Sequence, residues 1–552
     1  MTRNVVIVGG VAGGMSAATR LRRLDPDAHI IVLERSGFVS YANCGLPYYV
    51  GGVIADQAAL LLQTPESLDA RFELDVRVHS NVTGINRAMK KVSIDGPESS
   101  YELDYDVLIL SPGALPVVPP IPGIERAFTL RTVEDVQKIA EAVSAQPTTA
   151  VVIGGGFIGV ESAENLAHKG IATTIVEATD QLLAPLDPEM ASLIHDEVRS
   201  NGVGLRLGQA VTRIGDSFVE FANGDVIPAA MVIAAIGVRP DTSLALGAQL
   251  DIGPRGGITV NAFGQTSDPT IYAIGDVAEK IDALDGEATL VPLANIANRQ
   301  GRVAADHILG RTVRPVATIG TAIVKVFSLT VATTGWNEKR LVSRNVDFQA
   351  VHTHPGSHAG YYPGSEQMAL KLLMSPETGE ILGAQAVGRD GVDKRIDVIA
   401  TAIRCHLPAP ELADLELAYA PPFGSAKDPV NMLGYIAENL LSGFTQNIQW
   451  YELDNYRKPG TLILDVRTPA EFAEGSIPDA IHIPLDELRD RYLELPASAC
   501  VVYCKVGQRG HTATVFLRER GFDAVNLDGG IQTWQASQSI VSSRPRALSE
   551  IK

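Results

Sequence analysis

Short, wholly apolar runs punctuate this chain, and what stops each run separates its parts. Val5-Val6-Ile7-Val8 breaks at Gly9-Gly10-Val11-Ala12-Gly13-Gly14 and passes into an Ala- and Arg-rich segment, and His29-Ile30-Ile31-Val32-Leu33 ends at Glu34. Continuous apolar runs of this length predict strands buried on both faces, and the segment between them predicts a helix. The pattern recurs at Ala150-Val151-Val152-Ile153, Gly154-Gly155-Gly156-Phe157-Ile158-Gly159 and Thr173-Thr174-Ile175-Val176-Glu177. It returns near the far end, where Val501-Val502-Tyr503 runs into the loop Cys504-Lys505-Val506-Gly507-Gln508-Arg509 and then a helix over 512–520. Strand, turn and helix in that order predict an α/β protein.

The turns carry chemistry. A glycine turn opening a helix presents free amides and the positive end of the helix dipole, which together hold a pyrophosphate. In the first turn Gly9 and Gly14 take the outer fingerprint positions and Val11 the middle one, where a side chain limits backbone approach. Glu34 closes the next strand, where a carboxylate suits a ribose diol. In the second turn Gly154, Gly156 and Gly159 fill all three positions. Glu177 would accept from an adenosine 2′-hydroxyl and repel a 2′-phosphate, and neither 178 nor 179 is basic, so this site predicts NADH in preference to NADPH. Two such folds predict one flavin and one nicotinamide site.

At 552 residues the chain is long enough for several domains. Its net charge of −18 argues against nucleic acid or an anionic membrane as partner. No apolar run reaches the roughly 18 residues of a membrane span, and the N-terminus lacks an export pattern. Four cysteines are too few for a disulfide framework, so a reducing, cytoplasmic setting is expected. There a lone thiol is a candidate for chemistry.

Two thiols stand out. Cys44 lies in Ser40-Tyr41-Ala42-Asn43-Cys44-Gly45-Leu46-Pro47-Tyr48, with no cysteine partner nearby. A thiol so isolated must become a sulfenate or form a mixed disulfide with a small thiol. Cys504 opens a strand-to-helix loop that gathers backbone amides and Arg509 around one thiolate, an arrangement that lowers a thiol pKa and holds an anionic sulfur adduct. Cys500 reads as preceding that strand, and about 13 Å of extended chain bars a disulfide with Cys504. Cys405, after a helical run, reads as core. His352, His354 and His358 sit on an alternating strand and a Pro-Gly turn without accompanying cysteines or paired carboxylates, so they read as structural or solvated and no metal site is expected.

The motifs together resemble the pyridine nucleotide–disulfide oxidoreductase family. Leu108-Ile109-Leu110-Ser111-Pro112-Gly113-Ala114 is similar to its strand crossing back from the FAD domain, and Thr270-Ile271-Tyr272-Ala273-Ile274-Gly275-Asp276 to its second FAD motif. The resemblance implies that Ser111, Gly113, Gly275, Asp276, Pro292 and Ala294 help hold FAD, with Asp276 at the ribityl chain and Cys44 over the flavin. The stretches 40–48, 358–364 and 419–431 resemble coenzyme A–disulfide reductases. That likeness implies a homodimer with active sites shared between subunits, in which Tyr419 and one of Tyr361 or Tyr362 reach the other subunit's cysteine. It further implies coenzyme A held by Ser16, Arg20, Arg23, Ser40, Asn43 and Lys427, and arginine forks suit its phosphates. The plainer alternative makes Arg20, Arg22 and Arg23 a solvated helix face. Phe72 stands where some relatives use a lysine, with Arg71 beside it.

Residues 461–534 resemble a rhodanese domain, whose six-residue loop from Cys504 to Arg509 has the length linked to sulfur transfer. Ser476 and Asp479 replace the usual His and Gly. The whole chain resembles the coenzyme A–disulfide reductase/rhodanese fusions, also described as NADH-dependent persulfide reductases. The expected fold is α/β: an FAD-binding domain at 1–115 and 245–325, an NADH-binding domain at 116–244, an α+β dimerisation domain at 326–445 and a rhodanese domain at 452–545. The expected activity is flavin-dependent reduction of coenzyme A persulfide, polysulfide or disulfide by NADH, with Cys504 relaying sulfane sulfur to the Cys44 site. The alternatives are an NADH peroxidase or oxidase using a Cys44 sulfenate, and a sulfur carrier or redox sensor.

Overall fold

The computed structural model describes residues 2–315, 317–495 and 499–541, so the end of the expected 452–545 domain lies outside the described residues. The chain forms two compact units, Met1–Ala178 with Gly202–Thr318, and Thr179–Asn201 with Ile319–Lys552.

The first unit begins with β1 (Asn4–Val8), followed by α1 (Ala12–Leu24) and β2 (His29–Leu33). The short helix α2 (Leu46–Val50), β3 (Asp75–Arg77) and β4 (Val107–Leu110) come next. These strands are parallel and nearly all their apolar side chains are buried, as expected where helices cover both faces. A second parallel sheet follows, with β5 (Thr149–Ile153), α3 (Phe157–His168), β6 (Ala172–Val176), β7 (Gly204–Arg206) and β8 (Met231–Ala234) in the order β7-β6-β5-β8. The chain then returns to the first sheet, where β9 (Ile271–Ala273) pairs with β4 and gives the order β9-β4-β1-β2-β3. The first sheet is therefore built from two distant stretches of sequence.

The second unit takes in α4 (Pro188–Ser200), a helix that the boundary 116–244 had grouped with the nucleotide sheet. The reason is its inner face: Met190, Ala191, Ile194 and Val198 are buried, and the carboxylates of Asp187 and Glu189 join a buried ion network of this unit. After α5 (Ala294–Ile308) of the first unit comes an antiparallel sheet of β10 (Ala322–Val326), β11 (Leu329–Gly335), β12 (Gln349–Thr353), β13 (Met368–Met374) and β14 (Ile381–Gly388), in the order β10-β11-β14-β13-β12. Helix α6 (Val392–Arg404) buries Val392, Ile396, Ile399 and Ile403, one face at helical spacing. Cys405 falls just past that face and is exposed, which corrects the expectation that it is core.

A last parallel sheet holds β15 (Asn447–Ile448), β16 (Leu462–Asp465), β17 (Ile481–His482), β18 (Cys500–Tyr503) and β19 (Ala524–Leu527), in the order β15-β19-β18-β16-β17. Helices α7 (Pro469–Ala473), α8 (Gln508–Arg518) and α9 (Gly530–Val541) belong to it. Two details differ from expectation. The edge strand β15 of this sheet lies before 452, where the domain was expected to begin, and Cys500 is the buried first residue of β18 instead of preceding it.

Candidate active site

The two nucleotide turns are built alike. Gly9 has φ 100°, and a Cβ there would stand 2.1 Å from the Ser111 carbonyl oxygen; a Cβ on Gly14 would stand 1.9 Å from that of Gly9. Only glycine lets β1 turn this tightly into α1. Gly154 (φ 110°) and Gly159 repeat the arrangement, with the same 1.9 Å approach to the Gly154 oxygen. Each strand-end carboxylate is tethered to its own turn, Glu34 accepting from the Gly10 amide at 2.8 Å and Glu177 from the Gly155 amide at 2.7 Å. Burial raises the Glu34 pKa. A Cβ on Gly156 would meet nothing within 4 Å, leaving the backbone open to a phosphate, whereas Val11 caps α1 at the matching place. Both cradles fit a dinucleotide. Gly113 and Gly275 adopt positive φ near the Ser111 turn, Pro292 and Ala294 are exposed at the start of α5, and Asp276 accepts from Arg131 at 2.9 Å. Nothing in the sequence pattern flagged Arg131.

Cys44 sits in a single 3-10 turn, Asn43–Gly45, that leads directly into α2, and it is exposed. Its thiol pKa is raised, first by partial burial and then by the Glu161 carboxylate, while Arg131 opposes the shift. Glu161 lies on α3, two residues beyond Gly159, and accepts from the Tyr48 hydroxyl at 3.1 Å. Burial pushes Glu161 up to about 7. No motif marks Arg131 or Glu161; the available signal for Glu161 was a carboxylate directly after the apolar first turn of α3. Ser40, four residues before the thiol, adopts φ 47°, the left-handed region.

The basic residues of α1 divide. Arg22 donates to the carbonyls of Phe72, Pro26, Ala28 and Glu73 and is consumed by the fold, so it is no solvated residue. Arg20 pairs with Asp306 at 2.7 Å, Arg23 lies 5.3 Å from the Phe72 ring centroid, and Ser16 donates to Asn298 at 2.9 Å. In the second unit the Tyr361 and Tyr419 hydroxyls are 2.9 Å apart, and that bond raises the Tyr361 pKa. Tyr362 instead turns its ring edge-on to His358. Tyr361, not its neighbour, is thus the partner of Tyr419. Lys427 is exposed in the same unit.

Cys504 directly follows β18 and is fully buried, and the Gly507 amide donates to its sulfur at 3.2 Å. Arg509, at the start of α8, grips Glu471 of α7 through two bonds of 2.7 and 2.6 Å and also engages the Cys504 sulfur. The guanidinium holds Glu471 down to about 2. Asp479 adopts φ 65°, the conformation that its family's usual glycine would take without strain. Burial alone lifts the neighbouring Cys500 to about 12, which marks it as inert.

The three histidines are buried. His352 faces Asp528 at 2.7 Å and Glu189 at 3.0 Å, so its surroundings are ionic and dry, not solvated. Asp187, Glu189 and Glu338 converge as a metal site's carboxylates would, but the Lys371 ammonium stands among them at 2.8, 2.6 and 2.7 Å.

Comparison with known proteins gives these parts their context. The model of the pyridine nucleotide-disulphide oxidoreductases matches residues 3–301, that of their dimerisation domain 321–429, and that of the rhodanese-like domain 450–537. A coenzyme A disulfide reductase of Staphylococcus haemolyticus (strain JCSC1435) is 34% identical over 442 residues, covering 79% of this chain and all of the relative. The crystal structure of reduced Bacillus anthracis CoADR-RHD superposes with a TM-score of 0.96 at 48% identity, covering 99% of both chains. An NAD-dependent persulfide reductase from A. fulgidus superposes at 0.91 with 38% identity, covering 96% of this chain and 100% of that one. Among the described residues no helix is long and apolar enough to cross a membrane.

Proposed function

This chain belongs to the pyridine nucleotide-disulphide oxidoreductases and carries a rhodanese-like domain, and from that premise we propose that it reduces coenzyme A persulfide, and coenzyme A disulfide, at the expense of NADH. The family uses FAD and a nicotinamide nucleotide, so the enzyme is a flavin-dependent oxidoreductase. The observation that carries the reading is Cys44: an exposed thiol on a short turn, in a unit whose sequence has no second cysteine.

Gly9, Gly14, Glu34, Ser111, Gly113, Gly275 and Asp276 would hold FAD, with Val11, Pro292 and Ala294 beside it; Gly154, Gly156, Gly159 and Glu177 would hold NADH. Bound there, the pair supplies two electrons as hydride equivalents. The protein does the sulfur chemistry. The Cys504 thiolate attacks a sulfane donor such as a polysulfide, whose S–S bond breaks and whose shortened anion leaves; the Cys504 persulfide, stabilised by the Gly507 amide and Arg509, then gives its outer sulfur to the coenzyme A thiolate and the Cys504 thiolate is restored. The Cys44 thiolate attacks the inner sulfur of the coenzyme A persulfide; the S–S bond breaks, hydrosulfide leaves and a Cys44–coenzyme A disulfide forms. Two electrons then cleave that disulfide and free coenzyme A, so that one persulfide and one NADH yield one thiol, one hydrosulfide and NAD+. Ser16, Arg20, Arg23, Ser40, Asn43 and Lys427 would hold coenzyme A, and Tyr361 and Tyr419, from the other subunit of a homodimer, would protonate the leaving sulfur. The linked hydroxyls support that last role, because a hydroxyl that both gives and receives a hydrogen bond can pass a proton on.

A water-forming NADH oxidase from Lactobacillus brevis shares the reductase fold, with a TM-score of 0.77 and 26% identity over 80% of this chain. Anaerobic NADH consumption separates the two activities: hydrosulfide release in step with NADH oxidation supports the reading, whereas turnover that needs oxygen or peroxide and yields no hydrosulfide overturns it.

A further inference from the structure

Asp528 stands at the end of β19, immediately before Gly529 and Gly530. Its carboxylate receives the backbone amide of His352 at 2.8 Å and the His352 ring Nδ1 at 2.7 Å, both from β12 of the neighbouring antiparallel sheet. The other carboxylate oxygen receives Asn447 at 3.0 Å.

Two short paths lead from there to the rhodanese-like loop. Through the backbone, the Gly529–Gly530 turn presses on the loop: a Cβ on Gly530 would lie 2.4 Å from the Cys504 carbonyl oxygen, and one on Gly529 2.9 Å from the Cβ of His352. The Ile531 amide donates to the Cys504 carbonyl at 2.9 Å and the Gln532 amide to that of Lys505 at 3.1 Å. Through side chains, Asn447 accepts from Asn526 at 3.1 Å, and Asn526 packs against Gly507 and Gly510, where α8 begins. Gly507 is the residue whose amide reaches the Cys504 sulfur.

We infer that His352, a residue of the dimerisation sheet, is a positioning residue for Cys504: its Nδ1 bond to Asp528 fixes the turn and the asparagine pair that set the thiol and its amide donor. The inference rests on Cys504 as the sulfur-accepting residue. Its geometry separates the two ends of the imidazole, since Nε2 faces Glu189 at 3.0 Å and has no part in either path.

That separation supplies the test. Asparagine places an amide where Nδ1 stands and keeps the Asp528 bond; glutamine reaches the Nε2 position and keeps the Glu189 bond. Sulfur transfer from thiosulfate to cyanide, which loads Cys504 with sulfur and expels sulfite, is measured on the full-length protein. His352→Asn is expected to stay within about two-fold of the parent, and His352→Gln to lose about ten-fold in kcat with KM for thiosulfate unchanged and its pH profile displaced upward. Asp528→Asn should behave like His352→Gln, and it stands in if the glutamine variant does not fold. Equal activity of the two His352 variants, whether both fall or both persist, overturns the inference. Cys504→Ser serves as control: transfer surviving there would remove the premise about Cys504 and not the positioning claim.

Discussion

The two thiols to which the chemistry is assigned above are set in opposite environments. Cys504 directly follows a central strand of a buried sheet, with an amide at 3.2 Å and a guanidinium whose charge is tied to Glu471. Cys44 rides on a three-residue turn, exposed, with a raised pKa and a carboxylate, Glu161, among its neighbours. The polypeptide by itself therefore raises the thiol pKa at Cys44, and at Cys504 it sets an amide and a guanidinium beside the sulfur. For Cys504, a fixed cradle suits the anionic persulfide proposed there. For Cys44, a raised pKa makes the thiol a poorer leaving group from the proposed mixed disulfide, so its departure calls for a proton. Its neighbours are arranged for proton traffic: Tyr48 and Glu161 are linked, and Glu161 titrates near neutrality, at about 7.

The sharpest break between the two sites comes from crossing their removal. Cys44→Ser should lower NADH-dependent reduction of coenzyme A disulfide by about a thousand-fold or more, while Cys504→Ser changes it by less than about two-fold. The thiosulfate–cyanide assay should show the reverse. If both variants impaired both reactions, the division of labour would be wrong.

The anion cradle can be weakened alone. Arg509→Ala removes a cation from the Cys504 loop and should cost about a hundred-fold in sulfur transfer, with coenzyme A disulfide reduction unaffected. Steady-state assays of the two reactions on one preparation give both numbers.

A pH-dependent difference should appear in stability. Burial pulls the His352 pKa down, but its bonds to Asp528 and Glu189 outweigh this and carry it to about 9, above the usual 6.5. The imidazolium is therefore favoured in the folded state. Its contribution, about 3 kcal/mol at most, is fully present below pH 6.5 and lost as pH rises through 9. Thermal midpoints of the parent and His352→Leu should lie furthest apart near pH 6 and converge by pH 9.5. A gap that does not change with pH would refute the ionic account of this network.

The smallest effect concerns Cys44 itself. Replacing Glu161 by Gln removes a negative charge that raises the thiol pKa. Alkylation of Cys44 at pH 8, read peptide by peptide because Cys405 is also exposed, should therefore quicken by about three- to ten-fold. Slower alkylation would assign Glu161 a different role.

Much of this was legible in the sequence because it is local. A buried parallel strand, a glycine turn and a helix N-terminus leave a period and a composition that need no distant partner, so 4–8 and 149–153 appear where apolar runs placed them. The Cys504 loop is readable for the same reason. What the chain concealed depends on pairs far apart in number. Arg22 looks like its neighbours until its carbonyl partners near Phe72 are known, and Glu471 shows no sign that Arg509 will claim it. His352 read as structural or solvated because its carboxylates lie 163 and 176 residues away. Cys405 was misplaced by one step of helical phase, and β15 was hidden because a two-residue strand carries no period. The choice between Tyr361 and Tyr362 needed the hydroxyl pair itself.

The central claim is that Cys44, without a second protein thiol, completes its disulfide with coenzyme A. Mass spectrometry of the protein mixed anaerobically with one equivalent of coenzyme A persulfide, before NADH is added, tests this most directly. The account predicts a coenzyme A adduct on Cys44 that matches the hydrosulfide released and disappears on addition of NADH. Hydrosulfide formed with Cys44 unmodified, or carrying only an oxygen adduct, would contradict it.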